Sequence, residues 1–255
     1  MTLISAPLHP DATLYGAFPW RFFGRSMTVL AECDPVAVAA LVPPPLKPWG
    51  APVVRFSVHD LTCDLGFGRA WALANPHRSR LREAVVGIAV EHQGVIGHWD
   101  PFLWTDSDAE CAVGREMYGW PQRMGTLAVT LPDPFGGFAP GDIVSGRVAR
   151  FTDAVFRIGI RLDHAGEPEV PQPPFTGFYT ERALPDPASR RVVRDLFFSE
   201  MAGLRHGEAM TGPAEIEVFA PELLPLAPRA VAGRVGAIAW VKEGSRLVAR
   251  SEEAF

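Results

Sequence analysis

Near the middle of the 255-residue chain stands Ala112-Val113-Gly114-Arg115-Glu116-Met117-Tyr118-Gly119-Trp120-Pro121-Gln122-Arg123-Met124-Gly125. This stretch joins two predicted elements. Asp106 to Met117 is predicted to be a helix, because acidic residues stand early in it, where they complement the helix dipole. Gly125 to Leu131 is predicted to be a strand. The connection between them presents aromatic, amide and guanidinium side chains.

The rest of the sequence indicates a mainly β protein. Its 25 prolines and 24 glycines punctuate short apolar or alternating runs along the whole chain, which is typical of strands separated by turns. The further predicted strands are Ser26 to Glu32, Ala51 to Asp60, Glu83 to His92, Ile143 to Phe151, Ala154 to Leu162, Ala214 to Phe219 and Arg234 to Val241. Two further helices are predicted over Asp34 to Leu41 and Ala188 to Leu196. No composition shift marks a boundary, so residues 1–255 are predicted to form one α+β domain, mainly β.

Composition and charge exclude several function classes. The net charge is −5 and no run of basic residues is present, so nucleic acid is not an expected partner. Apolar runs such as Val231 to Val241 are too short to span a bilayer, and the N-terminus lacks a leader pattern. A cytoplasmic protein without membrane association is therefore expected. Neither the three cysteines nor the seven histidines have the spacing of a metal site, and no metal or cofactor is predicted.

The quoted stretch resembles the active-site segment of the acetoacetate decarboxylase-like superfamily, which has the form AVGRE, three residues, an aromatic residue, then PKKLG. The similarity extends upstream through Phe23-Gly24-Arg25, Pro43-Pro44-Pro45-Leu46 and Val53-Val54-Arg55-Phe56. Downstream it includes Glu208-Ala209-Met210-Thr211-Gly212-Pro213. The resemblance implies a cone-shaped, closed β-barrel with a few peripheral helices, a pocket inside the barrel and assembly as a homo-oligomer.

In that family a buried lysine with a lowered pKa attacks a ketone, and the resulting imine accepts electrons. The resemblance places Gln122 at the position of this lysine and Arg123 at that of a neighbouring cation. An amide cannot form an imine, and a guanidinium stays protonated. Only two of the 24 basic residues are lysines, Lys47 and Lys242. Neither maps to the family's site, and both are predicted to be surface residues.

The other site residues also follow from the resemblance. Glu83 falls on the position of the family's catalytic glutamate, and Arg25 on that of an arginine that holds the substrate acid. Catalytic roles are thus predicted for Glu83, Arg123 and Gln122. Substrate-binding roles are predicted for Arg25, Ser57, Tyr118, Trp120 and Phe23, Ser57 standing where the family has a second pocket glutamate.

The leading hypothesis is a cofactor-independent enzyme acting on a hydrophobic keto or enol metabolite, in secondary metabolism. Glu83 would act as acid and base in proton transfer, dehydration or cyclisation, while Arg25 and Arg123 would stabilise an oxyanion. The first alternative is a non-catalytic binding protein that kept the pocket. The second is a residual decarboxylase of a β-keto acid.

Overall fold

The structure is a computed structural model that describes residues 15–168, 176–186, 188 and 190–254. Fifteen strands dominate it: β1 Trp20–Glu32, β2 Lys47–Pro48, β3 Val53–Cys63, β4 Arg80–His92, β5 Val95–Thr105, β6 Gln122–Met124, β7 Thr126–Val129, β8 Ile143–Arg150, β9 Asp153–Arg161, β10 His164–Ala165, β11 Gly177–Asp186, β12 Arg191–Gly212, β13 Ala214–Val218, β14 Arg229–Lys242 and β15 Arg246–Ala254. The helices are short: α1 Pro35–Ala40, α2 Arg69–Ala74, α3 Pro76–Ser79, α4 Asp108–Val113 and a π-helical turn, Gly114–Tyr118. The mainly β prediction is confirmed.

Seven of these strands form a closed ring. Around it β1 pairs with β3, β3 with β4, β4 with β5, β5 with β11, β11 with β12, β12 with β14, and β14 with β1. The β5–β11 contact is parallel and involves two residue pairs, whereas the other six are antiparallel. These pairings close the sheet into a barrel, as the resemblance implies.

The two faces of the barrel wall have different partners. The outer face of β1 carries Met27 and Val29, which join the core shared with the second, four-stranded sheet of order β13-β9-β8-β7. The inner face carries Trp20 and Phe22, which pack in a separate cluster with Trp240 of β14. Because side chains alternate along a strand, this division assigns every other wall residue to the interior.

The helices follow local signals. Helix α1 begins after Asp34, whose carboxylate accepts hydrogen bonds from the Val36 and Ala37 amides, and Pro35 occupies the first turn, as expected for a capped start. Helix α4 is capped by Ser107 and continues into the π-helical turn. The helices predicted over Asp34 to Leu41 and Asp106 to Met117 are therefore confirmed. No described helix is long and apolar enough to cross a membrane.

The helix predicted over Ala188 to Leu196 is wrong. From Arg191 onward the chain belongs to β12, which pairs on one side with β11 and on the other with β15. Two antiparallel ladders give this segment hydrogen bonds that its apolar spacing does not reveal. The eight predicted strands all coincide with described strands, although β1 and β14 begin six and five residues earlier than predicted.

Candidate active site

Glu83 lies on the inner face of β4, where it pairs with His59 of β3 and Thr105 of β5. Only 7% of the residue is exposed. Burial raises the pKa of its carboxyl from 4.5 to about 8, and the nearby Glu110 and Asp100 carboxylates add to the rise. Glu83 is therefore an acid that gains and loses a proton close to neutral pH.

Gln122 faces Glu83 across the interior. It begins β6, opposite Leu103 of β5, and its Nε2 donates to the Glu83 Oε1 at 3.3 Å. Arg115 Nη1 donates to the Gln122 carbonyl oxygen at 3.0 Å, and this hydrogen bond holds the Gln122 backbone in place. A β-carbon on Gly114 would collide with the Gln122 side chain. Gly114 therefore sets where the amide can lie.

Lys242 also lies in this interior, so its prediction as a surface residue is wrong. It ends β14, pairs with Trp20 of β1 and is 5% exposed. Its Nζ is 3.5 Å from the centroid of the Tyr118 ring and 4.7 Å from that of Trp120. Burial lowers the pKa of the amine from 10.5 to about 8, although Glu110, Cys63 and Glu83 oppose the change.

Two further groups complete the surroundings of this amine. Glu110 of α4 is 7% exposed, burial raises its pKa, and its carboxyl interacts with the Cys63 thiol. The indole ring of Trp120 packs on Phe178, with ring centroids 5.2 Å apart. Tyr118 and Trp120 thus form an aromatic wall beside a carboxylic acid.

Several buried polar atoms of this interior have no hydrogen-bond partner among the residues that the structure describes. They are the Gln122 Oε1, the Glu110 Oε1, the Tyr118 hydroxyl and the Trp120 Nε1. An unsatisfied buried group costs about 1–3 kcal/mol. A polar molecule that hydrogen-bonded these atoms would offset that cost.

The floor of the interior is lined by hydroxyl groups. Ser57 Oγ lies 3.0 Å from Thr28 Oγ1, which lies 3.1 Å from Ser26 Oγ. His59 is next to Glu83, and burial lowers its pKa from 6.5 to about 3, with the Arg55 charge as a smaller cause. The imidazole is therefore neutral. Sequence reasoning placed Ser57 in the pocket, and the structure sets it on the same wall.

The structure does not bring Arg25 and Phe23 together with Glu83. Both alternate with Trp20 and Phe22 and so lie on the outer face of β1. Arg25 stands 5.7 Å from the Phe138 ring centroid and lines a separate cleft of about 780 Å³. The expectation that Arg25 shares the Glu83 pocket is wrong, because strand parity directs it outward.

Arg123 is directed outward for the same reason. It follows the inward Gln122 on β6 and pairs with Trp104, which packs in the outer core. Burial, and then the charges of Arg150 and Arg115, lower its pKa. The predicted oxyanion role of Arg123 beside Glu83 is therefore not supported by its position.

Lys242, Glu110 and His59 are the residues that sequence reasoning missed. A signal for Lys242 was present, because it shares strand parity with the apolar Trp240 in the segment Trp240-Val241-Lys242. No group of three or more His, Cys, Asp or Glu in the described parts of the chain is placed to hold a metal ion.

The fold and the interior define a class of protein: a closed barrel with a carboxylic acid, an amide and an amine directed into one buried site. The family model described as acetoacetate decarboxylase matches residues 5–251, and the chain belongs to that family.

A curated relative, the acetoacetate decarboxylase of Streptomyces nogalater, is 28% identical over 229 residues, which covers 88% of this chain and 86% of that protein. Two solved structures share the fold. An acetoacetate decarboxylase-like enzyme from Sphingomonas wittichii RW1 superposes with a TM-score of 0.86 at 23% identity, over 96% of this chain and 98% of the other. The enduracididine biosynthesis enzyme MppR, complexed with the condensation product of pyruvate and imidazole 4-carboxaldehyde, gives 0.84 at 22%, over 95% of both chains.

Proposed function

We propose that this protein is a cofactor-independent enzyme that moves protons beside the carbonyl group of a hydrophobic keto or enol metabolite. The observation that carries the proposal is Glu83, a buried carboxyl with a pKa of about 8. General acid and base catalysis is most effective when the pKa of the group lies near the working pH. Proton transfer, dehydration and cyclisation all use such a group.

The remaining interior suits a carbonyl compound. Gln122 hydrogen-bonds the carboxyl of Glu83, so the amide orients the acid. The Tyr118 hydroxyl is a buried donor without a partner among the described residues, and its pKa is raised by burial, so it remains protonated. A protonated phenol can stabilise negative charge that develops on a substrate oxygen.

The aromatic lining favours a substrate with an apolar part. Trp20 and Tyr118 pack edge to face with ring centroids 5.9 Å apart, and Phe22 stacks on Trp240 at 4.9 Å. Large aromatic side chains contribute most of the energy with which apolar ligands are held. We therefore expect affinity to rise with the apolar area of the substrate.

The structural neighbours support carbonyl chemistry other than decarboxylation. MppR is named as an enzyme of enduracididine biosynthesis and was solved with pyruvate and with a pyruvate condensation product. By analogy we propose a tailoring step in secondary metabolism for the present protein. The analogy rests on the shared fold, and the chemistry rests on Glu83.

The test is deuterium exchange at the carbon next to a carbonyl group. Phenylpyruvate, pyruvate, acetoacetate and 2,4-pentanedione are incubated with the protein in deuterium oxide, and incorporation is followed by proton NMR. We expect exchange above the buffer rate, lost in Glu83→Gln and kept in Glu217→Gln, which changes an exposed carboxylate of β13. Equal rates in the two variants would refute the role of Glu83.

A binding protein would give a different result. It would retain the same compounds in equilibrium dialysis without exchanging their protons, and Glu83→Gln would change the affinity only slightly. That outcome would replace the proposed enzyme by the pocket-retaining binding module.

A further inference from the structure

Lys242 occupies a position that a structural lysine seldom takes. Its side chain enters the barrel beside the Tyr118 and Trp120 rings. Within the described parts of the chain its amine has neither a hydrogen bond nor an ion pair. Buried charges are ordinarily paired, because an isolated ammonium loses far more hydration energy than ring contacts return. Burial thus lowers the pKa of the amine, although the charges of Glu110, Cys63 and Glu83 oppose the change.

The neutral amine is also populated near neutral pH. With a pKa of about 8, roughly 300-fold more free amine is present at pH 7 than for a lysine in water. Glu83 and Glu110 act on the same ammonium through their charges, so acid and amine share one electrostatic environment. Carboxyl, amide and amine reach the site from β4, β6 and β14.

We propose that Lys242 is the nucleophile of this site and binds the carbonyl substrate covalently as a protonated imine. The proposal rests on the proposed function for the nature of the substrate, an enolisable ketone or aldehyde. It places the amine on β14, 120 positions after Gln122 in the sequence.

The steps balance without a further reactant. The neutral amine adds to the carbonyl carbon, and its proton moves to the oxygen to give a carbinolamine. Protonated Glu83 gives its proton to the hydroxyl group, which leaves as water, so an iminium and a Glu83 carboxylate remain. The carboxylate then takes a proton from the adjacent carbon, and the C–H electron pair moves into the iminium to form an enamine. Reprotonation and addition of water release the product and the amine.

Borohydride trapping tests this assignment in the intact protein. The wild type is incubated with phenylpyruvate and sodium cyanoborohydride, and its peptides are mapped by mass spectrometry. We expect Lys242 to gain the mass of the keto acid less one oxygen atom, at a rate that rises with pH up to about 8, where the amine loses its proton. Lys47, exposed on β2, is the internal reference. Modification of Lys47 with Lys242 unmodified would overturn the proposal.

Matched variants separate covalent chemistry from a structural role. Lys242→Met should abolish the adduct, whereas Lys47→Met should keep it, with circular dichroism confirming that both fold. Glu83→Gln should still be trapped at Lys242 but more slowly, because addition of the amine does not require Glu83 whereas loss of water to form the iminium uses its proton. An adduct that survives in Lys242→Met would contradict the assignment.

The two proposals can fail separately. Deuterium exchange that depends on Glu83, without an adduct at Lys242, would keep the proposed function and overturn the covalent role. An adduct at Lys242 without exchange of any of the carbonyl compounds would keep the nucleophile and overturn the proton-transfer function.

Discussion

Replacing Glu83 by glutamine should change how the stability of the protein depends on pH. Between pH 4.5 and about 8 the unfolded chain has lost the Glu83 proton while the folded chain keeps it. The folded state therefore binds more protons, and the free energy of unfolding falls by about 1.4 kcal/mol for each pH unit across this window. The total loss is about 5 kcal/mol.

Glutamine preserves the shape of the side chain and removes its ionisation. The difference in the free energy of unfolding, variant minus wild type, should thus be small at pH 4.5, grow through the window and level off above pH 8. This pattern is expected for an acid whose pKa is raised by folding. The protonated Glu83 carboxyl makes its full contribution to stability below pH 4.5, and that contribution is lost as the pH rises through about 8.

Urea unfolding at half-unit pH intervals, followed by tryptophan fluorescence at one fixed protein concentration, measures this difference. Glu217→Gln provides the control for removal of one surface charge. If the pH profiles of wild type and Glu83→Gln run parallel, Glu83 titrates as an exposed carboxylate does, and both its burial and its proposed role are refuted.

Three further predictions concern other positions. Lys242→Met should stabilise the protein by about 3 kcal/mol at pH 6, and the gain should shrink as the pH rises from about 8 to 10.5; thermal melting at each pH measures it. Gly114→Ala should displace the Gln122 side chain and slow deuterium exchange by up to about 100-fold, while Gly136→Ala, whose added methyl meets only ordinary contacts, should leave the rate unchanged. Asp195 accepts hydrogen bonds from Arg250 and Arg182, which hold its pKa below the usual value. Asp195→Asn should therefore destabilise the protein by about 1.5–3 kcal/mol at pH 7 and by less at pH 3, where the wild-type carboxyl gains a proton, as urea titrations at both pH values would show.

Much of the barrel wall could be predicted from the sequence because its strands carry their own signals. Val53-Val54-Arg55-Phe56 and the apolar run of β4 combine β-branched residues with turn residues at their ends. The contact between Glu83 and Gln122 was predictable as well, since the resemblance set both on family site positions. The strand signals depend on residue type and local spacing, whereas that contact follows from the resemblance.

The segment from Ala188 to Leu196 shows where local spacing misleads. Val192, Val193 and Leu196 stand at intervals that suit a helical face. In the fold they lie on β12, between β11 and β15, neither of which was predicted from the sequence. Long-range hydrogen bonding therefore outweighed the local preference.

The site was only partly predictable, because the face of the sheet to which a side chain points depends on the register in which its strand pairs. Arg25 and Arg123 have the chemistry of anion-binding residues, but alternation along β1 and β6 turns them away from the interior. For Lys242 the sequence offers only its parity with Trp240, and its burial follows from the pairing of β14 with β1, in which Lys242 lies opposite Trp20, 222 residues earlier. A single sequence does not state that pairing.

Closure of the seven-strand ring has a consequence for how function can change in such a protein. Every inward position of a closed wall faces the same central axis, so a chemical group can be supplied to one point from any of several strands. An amine lost from one strand and present on another leaves the centre of the barrel with the same functional group, although the two residues are remote in the chain. Relatives of this protein are therefore better compared by which groups converge on the axis than by which residue fills one aligned column.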